Sequence, residues 1–389
     1  MAHYFIFPEK DAAIYSHPTN QSLNTGIDEI LTLRDIASNT DTNYYPSRFL
    51  VQFKTKDFVD VINDKVGNKD LITASFKAYQ TEHRELIGDQ HLEIYPLAES
   101  WVNGTGRLSN TPQTTNGVSW KFRDGSDNSF SNTFGTAWTT SSFTAGTTGS
   151  FISDAKGGGV WYTGSGFEVE RTYGFNDEID ISLDITTPVL KHYSASNNSA
   201  TYPSGIANNG FIIKRSGSQE FTTKDDGELN FFSMDTHTIY SPHLDFAWDD
   251  SSYDTVTHGI TDDKILKTGE IYITLRNNKE KYRTVEEPTF RLNVRELYPT
   301  RKFTTTSNYL DVKYFTSKSF YSLVDYATEE TVIPFDENTK LSADSEGMYF
   351  KMYMNGLQEE RYYKLLFKHE NNDGIKVFDE NCYFKIVKS

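Results

Sequence analysis

Asp and Glu together number 54 in this chain of 389 residues, so paired carboxylates are the first chemistry to test for, since two acids across a cleft hydrolyse glycosidic bonds. The acids are spread along the whole chain, and no local spacing pairs any two of them. Abundance alone puts some pair at catalytic separation by chance, and the chain is expected not to be an enzyme. The nine histidines include no pair at the spacing of a helical zinc site; His237 and His243 only flank a strand start, where an imidazole caps a backbone group or faces solvent. Cys382, the single thiol, stands in a terminal apolar strand and suits core packing. Gly157-Gly158-Gly159 runs into Val160-Trp161 and not into a helix, so it lacks the context of a phosphate loop and reads as a flexible turn.

Two binding chemistries remain. Hard oxygen ligands on sheet loops hold calcium without a fixed linear motif. Asp124, Asp127 and Asn128 form one candidate group and Asp249 with Asp250 another, although both also read as turns, because Asp and Asn bond their own backbone. No other cofactor is expected. Exposed aromatic rings on a sandwich stack on sugars, and Trp120, Trp138, Trp161 and Tyr162 are the candidate glycan-binding residues, with Trp101 a further tryptophan in the same region. The competing assignment is core, because a large sandwich needs aromatic filling.

A formal net charge of −16 and a pI near 5.0 repel a phosphate backbone and exclude nucleic acid as a partner. No stretch approaches the roughly 18 apolar residues of a membrane span. The opening Met1-Ala2-His3-Tyr4 lacks a basic segment followed by an apolar run, and one cysteine cannot form an internal disulfide, so synthesis in a reducing cytoplasm is expected.

The elements that must position these side chains are mostly strands. Aromatics make up 14% of the chain; Arg48 to Phe53 reads as a buried strand, Leu71 to Gln80 and Glu178 to Ile185 alternate with period two, and Leu92 to Leu97, Gly210 to Lys214, Leu229 to Met234 and Pro242 to Trp248 also read as strands. Pro96 is expected near a sheet edge. Phe58, Val59, Ile62 and Val66, with Gly67 as the stop, predict one short helix. Asn103 to Gly166 is rich in Gly, Ser, Thr and Asn, and its aromatics are expected to anchor it on the sandwich or to form short strands. A polar break at Asp249 to Ser252 precedes further strands at Gly269 to Arg276, Phe290 to Val294, Leu310 to Phe315, Tyr349 to Met354, Tyr362 to Lys368 and Cys382 to Val387. The length exceeds what one core of about 250–300 residues sustains. The expected fold is all-β, with an N-terminal sandwich over 1–252 and a smaller C-terminal β-sandwich over 253–389.

These segments resemble a jelly-roll module, the DNRLRE domain, which is similar to certain carbohydrate-binding modules. The resemblance covers about residues 10–252 and rests on the order Asn24-Thr25-Gly26, Arg48 to Phe53, Ala74 to Tyr79, Ile94 to Trp101, Gly117 to Trp120, Asp180 to Val189, Asn209-Gly210-Phe211 and Ser241 to Leu244. The peptide that names the family is absent, and 124–160 looks like an insertion. The remainder resembles the second β domain of virion proteins of tailed phages, particularly marine contractile-tailed ones, on Thr331 to Phe335 and Gly347 to Tyr353. The resemblance implies a bacteriophage virion structural protein of the tail, neck or baseplate. Its partners would be other virion proteins, in multiple copies per particle. The alternative is an adhesin that binds host-surface glycan.

Overall fold

The computed structural model describes residues 2–37, 44–125, 135–139, 147–152, 155–197, 205–220, 226–299, 303, 305 and 311–388. Strands make up 46% and helices 11%, so the chain is all-β, with several sheets and a curled half-barrel. It divides into two compact units. One comprises Ile6–Lys69 and Thr73–Asp245; the other comprises Met1–Phe5, Asp70–Ile72 and Phe246–Ser389. The division therefore falls inside the strand His243–Trp248, ahead of the polar break at Asp249 to Ser252.

The first unit is organised around the strand Tyr44–Phe53. In space the sheet runs Val169–Tyr173, Gln90–Pro96, Phe211–Arg215, Tyr44–Phe53, Ile30–Ala37, Gly227–Phe232 and Gln80–Arg84, with Pro8–Tyr15 also paired to Tyr44–Phe53. Its strands pair antiparallel throughout. Side chains alternate across a strand, and here both faces are covered. Phe49 meets Phe231 and Phe53 meets Phe76, while Leu50 joins Ile212, Leu97 and four tryptophans in a second apolar cluster. A strand buried on both sides reads as a nearly continuous apolar run, which is what Arg48 to Phe53 shows. Pro96 pairs with Phe211 on one side only; its strand lies inside the sheet, but the pairing with Val169–Tyr173 on the other side stops at Ile94. With no partner from Val169–Tyr173 at this position, its missing N–H is tolerated.

The expected helix is present over Thr55–Asp60 and continues as a π-helical turn, Val61–Val66, closed by Gly67 at φ 74° with its N–H on the Ile62 carbonyl. Ile181–Asp184 pairs with Ile72–Ala78. The chain then adds a helix, Thr186–Asn197, where Pro188 occupies the first turn, the one place in a helix that does not need its N–H. The Asp184 carboxylate starts it by accepting from the backbone N–H and hydroxyl of Thr186.

The described residues between 97 and 162 cover the sheet through Trp101, Trp120, Trp138 and Trp161. Close backbone contact holds it there. A Cβ on Gly26 would lie 2.0 Å from the Asn103 carbonyl oxygen, and one on Gly106 would lie 2.2 Å from that of Asn24. Gly157-Gly158-Gly159 is not a flexible turn. It lies in the strand Ala155–Tyr162, paired with Thr147–Ile152 across a bulge. A Cβ on Gly158 would sit 2.7 Å from both the Arg48 guanidinium and the Trp120 ring.

The second unit is a β-sandwich. One sheet runs Ile271–Leu275, Thr289–Glu296, Gly347–Lys351 and Ser342–Asp344; the other runs Lys281–Arg283, Gly374–Val387, Tyr362–Asn371, Ser319–Asp325 and Thr331–Ile333. Their shared core stacks Tyr321 on Phe350 at 4.3 Å and Phe350 on Phe290 at 5.1 Å. Ser319–Asp325 is buried throughout and carries no alternation that would announce it. The strand expected from Leu310 to Phe315 forms only isolated bridges, at Lys313 and Tyr314; Leu310 lies outside the described residues.

Two outcomes test this packing. Gly158→Ala combines a positive φ of 76° with a blocked Cβ and should cost about 1–3 kcal/mol. Gly217→Ala, with open space around it, should stay within about 0.5 kcal/mol; equal melting temperatures for the two variants would refute the account. The second outcome concerns Asp11, which is buried, accepts the Met234 N–H at 2.7 Å and is pushed up to about 8, chiefly by desolvation. A raised folded value means that the native state holds its proton longer than the unfolded chain. Asp11 therefore costs nothing below pH 4, and stability falls as pH rises to 8. Asp11→Asn keeps the acceptor and should gain about 2–5 kcal/mol at pH 8, with no gain at pH 3.5, as measured by denaturant titration.

Candidate functional site

The polar constellation of the first unit follows from strand register. Glu170 stands opposite Glu93, and Glu93 stands opposite Lys214. The pairs Ile213 with Phe49 and Ile212 with Leu50 continue that row to Arg48. Because side chains repeat every second residue, Glu93 and Tyr95 share a face with Lys214 and with Arg48. Two acids followed by two cations cross four strands. Like charges directly opposite destabilise a sheet, so each half of the row needs partners from outside it.

The short helix Gly217–Glu220 supplies the partner for the cations. The Glu220 carboxylate receives Nε and Nη2 of Arg48 at 2.8 and 2.7 Å, and Lys214 Nζ lies 3.6 Å away. Arg48 and Glu220 are 0% and 1% exposed, so this bidentate pair is dry. The third arm of Arg48 donates to the Gly158 carbonyl at 2.6 Å, and its guanidinium lies 4.6 Å from the Trp120 ring and 5.2 Å from Trp161. Planarity, five donors and weak hydration suit arginine to such a site. Lys214 also donates to Glu93 at 2.6 Å. At the outer end the Tyr95 hydroxyl donates to Glu168 at 2.6 Å and lies 3.3 Å from Glu93. Burial, followed by the Glu168 bond, drives its ionisation well above the usual phenol range, so Tyr95 is a hydrogen-bond donor at any physiological pH.

Carboxylate oxygens of Glu93, Glu168 and Glu170 lie within 4.8 Å of one another, and they are the grouping with metal-holding geometry among the described residues. Oxygen-only donors suit a hard cation such as calcium, but Lys214 already neutralises Glu93 and Tyr95 already occupies Glu168. The expected calcium group is placed only at Asp124; Asp127 and Asn128 lie outside the described residues. Asp249 accepts the N–H and hydroxyl of Ser251, which is a turn. His237 is exposed and His243 is buried against the Ser241 carbonyl. Cys382 packs beside the second core, where burial pushes its thiol up.

The tryptophans expected as a glycan platform are buried. Trp120, Trp138 and Trp161 are 0%, 2% and 6% exposed, in one cluster with Trp101. Their indoles are spent internally: Trp138 Nε1 donates to the Ser119 carbonyl at 3.0 Å, and Trp120 and Trp161 flank Arg48. The competing assignment, core, is what the structure shows. Tyr162 is half-buried and stacks on Phe167 at 5.5 Å. The charge row itself went unread in the sequence, although a cation inside an apolar strand, as in Arg48-Phe49-Leu50-Val51 or Phe211-Ile212-Ile213-Lys214, was the available signal.

No family model matches the chain, and no match was found among curated proteins.

Removing Glu220 alone leaves the buried Arg48 without its anion, while Lys214 keeps Glu93. Glu220→Gln should destabilise the first unit by about 3–5 kcal/mol, whereas Glu168→Gln at the exposed end should cost about 1 kcal/mol or less. Chemical denaturation of both variants checks this, and comparable losses would show that burial does not set the scale.

Proposed function

We propose that the chain is a non-enzymatic structural component of a bacteriophage virion, in the tail, neck or baseplate, and that it works by assembly with other virion proteins. The observation that carries the reading is the internal commitment of its most reactive-looking cluster. Glu93, Glu168, Glu220, Tyr95, Lys214 and Arg48 bond one another, so the acids and the phenol work as a brace across three strands. Two β units, each with its own aromatic core, suit a part whose job is to hold shape while multiple copies add modest interfaces. The resemblance to a DNRLRE-type jelly-roll module and to tailed-phage virion proteins supplies the biological setting. Among the described residues, no helix is long and apolar enough to cross a membrane.

A glycan-binding adhesin would have to use side chains other than the buried Trp120, Trp138 and Trp161; of the four residues singled out for it, only Tyr162 keeps partial exposure. Mass spectrometry of purified particles should find the chain at a fixed stoichiometry, and deleting its gene should abolish normal particles. Infectious, morphologically normal virions assembled without it would end the proposal.

A further inference from the structure

Lys214 is a buried amine in the interior of the first unit's sheet, with its side chain 5% exposed. Glu93 stands directly opposite on the neighbouring strand. Its Oε2 accepts from Lys214 Nζ at 2.6 Å, and its side chain is 13% exposed. A second acid, Glu220, brings Oε2 to 3.6 Å from the same nitrogen while both of its oxygens are held by Arg48. The Tyr95 and Trp161 rings stand 5.9 and 5.8 Å from Nζ. Each of these residues is 6% exposed, so they shield the contact from water.

An amine touching a carboxyl group, a fixed carboxylate beside it and a dry aromatic wall are the parts needed for amide condensation, with the second acid as base to the nucleophile. The carboxyl carbon lies one bond behind the oxygen, which puts Nζ roughly 3–3.5 Å from Glu93 Cδ, the range of near-attack conformers. Because the two residues are register partners, the bond closes without moving either strand. A buried ion pair recovers its desolvation cost poorly, so passing one ammonium proton across the contact to Oε2 gives a neutral amine and acid suited to the site. The nitrogen lone pair then attacks Cδ. A second proton passes from nitrogen to Glu220 and on to Oε2, which departs as water. Oε1 becomes the amide oxygen, one hydrogen stays on nitrogen, nothing is oxidised or reduced, and no further reactant enters. Arg48 fits Glu220 for the relay by keeping it ionised, and leaves Glu93 as the acid that reacts.

We propose that the chain forms an intramolecular isopeptide bond between Lys214 Nζ and Glu93 Cδ, a covalent staple joining Gln90–Pro96 to Phe211–Arg215. The bond is made once per molecule, without turnover, and the inference does not depend on the virion reading. Mass spectrometry of the full chain in denaturant should find a mass one water below that of the sequence. Tryptic digestion should yield a branched peptide joining the segments that carry Glu93 and Lys214. Lys214→Arg and Glu93→Ala should each restore the full mass and abolish the branched peptide. Glu220→Gln, with its fold verified by circular dichroism, should form the bond at least about a hundredfold more slowly in a time course after synthesis. A wild-type chain at full sequence mass with Lys214 in a linear peptide, or a water loss that maps to other residues, overturns the proposal whether or not the variants fold. A folded Glu220→Gln chain that forms the bond at the wild-type rate overturns the relay.

Discussion

Everything in the first unit converges on the Arg48 guanidinium. A full positive charge without water would be untenable in a dry core, so each of its faces and edges must be answered. Glu220 answers with two oxygens, Gly158 with a carbonyl, and Trp120 and Trp161 with ring faces. These partners come from a short helix, a hairpin and the loop region ahead of it, all far from Arg48 in sequence. One side chain thereby specifies where three otherwise weakly structured segments lie on the sheet. Hydrophobic packing would tolerate sliding there; a bidentate, directional contact does not.

The same constraint explains the composition of the stretch that covers the sheet. Backbone can approach Arg48 and Trp120 closely enough to donate and accept only where no Cβ intervenes, and Gly157 and Gly158 supply that gap. Tryptophan then fills the volume that small residues leave. A glycine- and serine-rich stretch with scattered aromatics resembles a flexible loop in composition, but its described residues form a covering layer. Its rings are consumed by the sheet and by Arg48, which is why Trp120, Trp138 and Trp161 offer no face to a sugar.

The second unit is built by different means. Its core is a stack of rings between two sheets, Phe290, Phe350 and Tyr321, and its ion pairs lie mostly at the surface, the buried Asp325 pairing with Arg361. The first unit spends its charge internally as a brace, whereas the second leaves Tyr326, Tyr362 and Tyr383 exposed.

How much of this was legible beforehand depends on the range of the interaction. Alternation and short apolar runs are local properties, so the strands at Arg48 to Phe53, Glu178 to Ile185 and Tyr362 to Lys368 and the all-β class could be read directly, as could the helix ending at Gly67. Ser319–Asp325 was missed because burial on both faces erases alternation, and the helix at Thr186–Asn197 because Pro188 reads equally as a strand stop and as a first-turn residue. Sequence by itself determined the periodicity, the acidity and the presence of charges inside apolar strands. Only the tertiary structure decided which carboxylate meets Arg48, that the tryptophans face inward, and which tyrosines face out. Register and strand order join residues more than a hundred positions apart, and no spacing along the chain encodes them.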